Sequence, residues 1–286
     1  MVKFQNIEIV GWFIWWTIRN VEITRQAFEA LLAKVGLRYS PKEASNRSSF
    51  LKAIARVQGE EKKEGLLLRK IKARGKEYVY GLVDERVDTS EHLHYHHECN
   101  MHFFVDTGSM ICDNATHRAY QLVLKYYDHY QLTMDSDDVR EVIKRMLTDT
   151  YAVSVRDRGG IYFVPGKFGE VIEALEKVIA GLGSECYLAM APQIDEERTK
   201  KSIYRAFVEG LKERIEDFRQ RLEDNLSDGV RKNAARKNEA LVNRLSEYKD
   251  MRKEIEFYAD ALDFQAGSLR EELEGLGARL EKKLAE

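Results

Sequence analysis

The sequence predicts an α+β fold: helix–helix–hairpin units in the order of a winged helix, followed by a long antiparallel α-helical coiled-coil arm. Three observations carry this. The order helix, helix, β-hairpin with a basic turn occurs once before residue 110 and again after it. The last proline is Pro192. Beyond it, apolar residues recur in steps of three and four almost to the C-terminus, the pattern of a continuous helical seam. The chain is therefore read as an N-terminal α/β domain at 1–110, a second helix–helix–hairpin–helix domain at 111–192, and the arm at 193–286.

The first element is the apolar run Ile9-Val10-Gly11-Trp12-Phe13-Ile14-Trp15-Trp16, a buried strand or a docking segment. It is roughly half the ~20 residues a spanning helix needs. Thr24 can cap a helix that places Ala27, Phe28, Leu31, Leu32 and Val35 on one side and stops at Gly36. Ser40-Pro41-Lys42-Glu43 has the form of a capping box with proline at the first helical position, opening a helix that buries Phe50, Leu51, Ile54 and Val57. Strands at 66–68 and 77–83 flank the turn Ala73-Arg74-Gly75-Lys76, and a third strand follows at 101–105.

In the second unit, Asn114 can cap a helix through Tyr130, and Asp135 or Ser136 another through Thr148. Strands at 151–155 and 161–164 enclose a turn at 156–160, and Pro165 ends the hairpin because it cannot donate to a ladder. A helix at 167–180 and a strand at 186–190 complete it. In the arm, the seam runs through Phe207, Leu211, Ile215, Phe218 and Leu222, then Leu241, Tyr248, Met251, Ile255 and Tyr258, then Leu269, Leu273, Leu276 and Leu280. Ser227-Asp228-Gly229 is the natural bend between two halves that bury one another.

Composition limits the function. Hydrophobic residues make up 44% and charged residues 33%, enough for a core with long solvated helices around it. The net charge of −2 gives no global attraction to nucleic acid or anionic lipid, so such contacts need a local patch. The three cysteines, Cys99, Cys112 and Cys186, form no CxxC pair and fit a reducing, cytoplasmic setting without a disulfide framework. No membrane association is expected.

Three clusters could carry chemistry. All seven histidines lie between His92 and His129, and His92, His94 and His96 alternate toward Cys99. Imidazole and thiolate are zinc ligands, and strand alternation puts the three imidazoles on one face. Their bland reading is a solvated histidine-rich strand. The other clusters are basic: Arg69, Lys70, Lys72, Arg74 and Lys76 around the first hairpin, and Arg231, Lys232, Arg236 and Lys237 past the bend. Beside Tyr78 and Tyr80, the first could hold phosphates and stack bases. Lysine on strand edges also serves simply to block aggregation. No GxSxG, SxxK, HExxH or GxxxxGK[ST] motif is present.

Ser40-Pro41, the helix carrying Arg47, Phe50, Lys52 and Ala53, and Gly159-Gly160-Ile161-Tyr162-Phe163-Val164-Pro165 ahead of a helix, a strand and a charged helical tail resemble an uncharacterised prokaryotic and phage family, the domain of unknown function of the 6744 type. The resemblance covers most of the chain and implies no activity, ligand or catalytic residue. The residues themselves point to a non-enzymatic interaction or scaffold protein that self-associates or docks a protein partner through its arm, with nucleic acid as a second partner class. The alternative is a metal-dependent hydrolase or nuclease using zinc at the His92-to-Cys99 segment.

Overall fold

The computed structural model describes residues 9–61, 65–156, 160–227, 234–262 and 267–285. Among them, eight α-helices and three antiparallel sheets make an α+β protein. The chain falls into two compact units, and neither is one continuous stretch of sequence: residues 18–142 with 181–185 form one, and 9–17, 143–180 and 186–285 form the other.

In the first of these, Thr24 Oγ1 accepts from the Ala27 amide at 3.2 Å and opens helix α1 (Arg25–Lys34), which ends before the positive φ of Gly36. Helix α2 (Asn46–Glu61) starts later than the Ser40–Glu43 box suggests. The Ser40 hydroxyl donates instead to Glu29, and Ser45 Oγ accepts from the Ser48 amide at 3.1 Å, so Ser45 is the cap. Strands β3 (Leu66–Arg74), β4 (Glu77–Val87), β5 (Leu93–Phe104) and β6 (Met110–Cys112) follow in a meander whose spatial order is β3-β4-β5-β6, here called sheet C. Gly75, with φ +70°, turns β3 into β4.

Helix α3 (Arg118–Leu132) is capped by His117, whose Nδ1 accepts from the Ala119 amide at 3.2 Å. Asn114 is used one turn earlier, where its side chain accepts from the Thr116 amide. A two-stranded sheet, β2 (Glu22–Thr24) with β7 (Thr133–Asp135), precedes helix α4 (Ser136–Asp149). Asp135 caps α4, accepting from the Asp137 and Asp138 amides at 2.9 and 3.0 Å. One face of sheet C packs on α2 and α3: Phe50, Ala53, Val57, Ala119 and Val123 bury against Tyr78, Tyr80, Leu82, Met101 and Phe103. Phe50 lies flat on Phe103, with centroids 4.0 Å apart.

The other unit holds β1 (Ile9–Thr17), β8 (Val153–Ser154), β9 (Tyr162–Pro165), a 3-10 turn (Gly166–Phe168), α5 (Gly169–Ala180), β10 (Tyr187–Ile194), α6 (Glu197–Ser227), α7 (Ala234–Leu262) and α8 (Gly267–Ala285). Its sheet, sheet A, has the order β10-β1-β9-β8. The tryptophan-rich run is therefore an interior strand: Ile14 is fully buried, and Trp16 stacks on Tyr162 at 5.1 Å.

Two expectations about the fold are overturned. The hairpins are not wings: β9 pairs with β1 as well as β8, and the β3–β4 hairpin is half of a four-stranded meander. Nor do the C-terminal helices form an extended antiparallel coiled-coil arm. Their seam residues are buried, but α6, α7 and α8 share one core with Val153 and Phe163 of sheet A, and Tyr258 Oη donates to the Tyr151 carbonyl at 2.6 Å. Periodicity says that a helix face is covered and leaves open what covers it. The turn at 157–159 and the bend at 228–233 lie outside the described residues.

Candidate functional site

Alternation along β3, β4 and β5 sorts the side chains of sheet C into two faces. Tyr78, Tyr80 and Leu82 point toward the helices, so their neighbours Glu77, Val79, Gly81, Val83, Glu85 and Val87 point outward. Across the ladder, Gly81 faces Arg69 and Asn100, Glu85 faces Tyr95, Val87 faces Leu93, and Val79 faces Lys72 and His102. His102 in turn faces Ile111. A bulge between Lys70 and Lys72 swings Ile71 over Gly81, where an added Cβ would come within 3.2 Å of Ile71 Cδ1. Glycine at this point lets Ile71 and His97 lie close over the middle strand.

This outer face is apolar and exposed. Ile71 is 61% exposed, Val87 64%, Leu93 49%, Tyr95 54% and Ile111 59%, all on the same side of one sheet. Single exposed apolar residues are ordinary, but five grouped on one surface mark a place of association.

Charge is unevenly spread along it. From the middle of the sheet to the β3–β4 turn stand Arg69, Lys72, Arg74 and Lys76; Lys70 projects to the opposite side. Lys72 is bonded to Glu77, and Lys76 to Asp106 at 2.6 Å. Lys72, and after it His102, hold the Glu77 carboxyl below its ordinary pKa. Arg69 lies over the Tyr95 ring at 6.0 Å. The Tyr95 hydroxyl is pushed up, first by its hydrogen bond to Glu85 and then by burial. Toward the β4–β5 turn stand Glu85, Asp88 and Glu91, while Asp84 projects to the opposite side. Asp88 accepts from the His92 and Ser90 amides and meets His94 Nε2 at 2.9 Å, and these contacts, the His92 amide foremost, hold its carboxyl low.

The expected metal set does not assemble. Cys99 is turned into the core, 2% exposed, with its Sγ 3.5 Å from Cys112 Sγ. His94 leans to Asp88, His96 Nδ1 to Glu98 at 3.0 Å, and His92 sits 3.7 Å from Asp88. His92 and His94 thus share the Asp88 carboxylate while His96 turns to Glu98, so the three imidazoles do not converge on one point. Among the described residues, no group of three or more His, Cys, Asp or Glu side chains could hold a metal ion.

Of the second basic cluster, Arg231 and Lys232 lie outside the described residues, as do the side chains of Arg236 and Lys237 on α7. No helix among the described residues is long and apolar enough to cross a membrane. The sequence reading missed the outer face because β5 extends back through the histidine segment, well before residue 101. The alternation of Leu93, Tyr95 and His97 was the available signal.

No curated protein matches this chain, and no solved structure does. Its sequence matches the Family of unknown function (DUF6744) over residues 9–286, and the chain belongs to that family.

Proposed function

We propose that this is an interaction protein that self-associates through the outer face of sheet C. The observation carrying the proposal is the single-sided exposure of Ile71, Val87, Leu93, Tyr95 and Ile111. Charge points to a second copy as the occupant. On this face Arg69, Lys72 and Arg74 stand against Glu77 and Glu85, with Lys76, Asp88 and Glu91 at the turns that bound it. A surface with that balance does not collect phosphates, whose binding depends on an excess of cations. It does have opposite signs at its two ends. A two-fold axis through the middle of the sheet lays the Arg69–Arg74 end of one copy on the Glu85 end of the other, with the apolar residues between.

Sedimentation velocity from about 1 to 100 μM, the range in which modest interfaces associate, tests this. The expected result is a concentration-dependent dimer. Ile71→Asp, at an exposed position that leaves the fold intact, should weaken it at least tenfold. Arg74→Glu and Glu85→Arg should each weaken it, and mixing the two variants should restore a heterodimer, because each then meets its opposite charge. A monomer throughout the range removes the proposal. Fluorescence anisotropy with single-stranded DNA at about 50 and 200 mM salt covers the competing class. Binding that collapses with salt and is lost in Arg69→Glu would assign the face to nucleic acid instead.

A further inference from the structure

The helical unit contains a cavity of about 300 Å³, at the small end of the range that holds a ligand. Val153, Phe207 and Leu211 give it an apolar floor, and Arg214 and Glu254 stand at its side. Glu254 is the one charged residue buried among the described residues, at 7% exposure, and Arg214 Nη1 donates to its Oε2 at 2.6 Å. Arg214 is half-exposed, so solvent screens the pair and it adds little to stability. Among the described residues this is the only hydrogen bond of either group, so Arg214 keeps unused N–H donors and Glu254 an unused acceptor oxygen.

Gly210 is the independent observation. It lies in the interior of α6, where glycine is among the poorest helix formers, and it lines the same cavity. A Cβ there would meet nothing within 4 Å, so packing does not require glycine. Its effect is to leave the space open.

We infer that this cavity binds a small, neutral, amide-bearing ring compound. The ion pair is neutral as a whole, so a charged ligand would leave one unbalanced charge beside the buried Glu254 carboxylate. A cation would compete with Arg214 for Glu254, and an anion would face the Glu254 carboxylate. A primary carboxamide or lactam carries a donor and an acceptor side by side. It gives its N–H to Glu254 and takes an N–H from Arg214 while both keep their mutual bond. The ring covers Val153, Phe207 and Leu211.

The test is a titration of the full-length ¹⁵N-labelled protein with benzamide, benzoate and benzylamine, three probes that share a ring and differ in charge. Benzamide should shift the amide resonances of Val153, Ser154, Gly210 and Leu211 with a Kd on the order of 1 mM, as ligands of this size reach. Benzoate and benzylamine should bind at least tenfold more weakly. Gly210→Leu, whose side chain enters the open space, should stay folded by its spectrum and lose the benzamide shifts. Absence of shifts with benzamide, equal shifts in Gly210→Leu, or tighter binding of either charged probe would overturn the inference. Because the probes read resonances of the helical unit, their outcome is separate from that of the dimer measurement.

Discussion

Lys52 on α2 reaches Asp135 and Asp138 at 2.7 and 2.6 Å, joining that helix to the start of α4. Burial acts to raise the Asp135 carboxyl, but the Lys52 ammonium and the capped amides outweigh it and hold the group below its ordinary pKa. Burial likewise acts to lower Lys52, and the two carboxylates outweigh it, so Lys52 titrates higher than usual. The Asp135 contribution is therefore present above the ordinary carboxylate pKa of about 4 and disappears as pH falls through the lower folded value. The Lys52 contribution survives until pH rises through its raised value, above about 10.4. These groups are about one-third exposed, and solvent screens them; Lys52→Met should cost about 1 kcal/mol in urea denaturation at pH 7. That difference should shrink as pH falls below the ordinary carboxylate pKa of about 4 and on through the lower folded value of Asp135. Cys99 offers a second test. Burial first, and the adjacent Cys112 thiol second, push it up to about 12. Iodoacetamide at pH 8 should modify Cys112 and leave Cys99 until denaturant is added, as peptide mass mapping would show. Equal rates for the two would contradict the burial of Cys99. Caps were read unevenly from sequence. Thr24 and Asp135 cap as expected, whereas Ser40 and Asn114 lose the role to Ser45 and His117, because a hydroxyl or amide near a helix start can satisfy other groups first.

At the scale of elements, β1 shows what neighbours do to a segment. Its run of large apolar residues fits a strand flanked on both sides, and that is its position between β10 and β9. Gly11 marks the tightest point, where an added Cβ would press on the Val164 carbonyl oxygen and the Phe163 ring. Gly11→Ala should destabilise by at least about 2 kcal/mol, since backbone cannot move aside as a side chain can. Ile14→Ala, at a fully buried site, should cost about 3 kcal/mol by opening a cavity. Urea midpoints at constant slope would measure both. A midpoint unchanged in either variant would mean that β1 is not an interior strand. Along the C-terminal helices, Gly277 has a similar role: a Cβ would meet the Tyr248 ring, so this glycine sets how closely α8 approaches α7.

At the scale of the molecule, β1 pairs in register with β10, Trp12 opposite Pro192 and Trp16 opposite Leu188, from the far side of the chain. Removing residues 9–17 should therefore disturb the C-terminal helices, whose core includes Val10 and Phe13 at its margin. The expected readout is increased ANS fluorescence with helical circular dichroism retained; an unchanged ANS signal would mean that α6–α8 stand without β1. What the sequence determined by itself was local: most helices, the Gly75 hairpin, and the apolar seam from Phe207 to Leu280, each fixed by periodicity, turn chemistry and burial of one face. What tertiary structure decided was partnership. It placed β1 beside β9 and β10, turned the seam toward a sheet and a third helix in place of a coiled-coil arm, and parted Cys99 from the histidines. It also left Ile71, Tyr95 and Ile111 uncovered together on one face. The reason is that hydrophobic burial is non-directional: a sequence states how much apolar surface a segment must hide and on which side, and only the assembled chain determines which surface hides it.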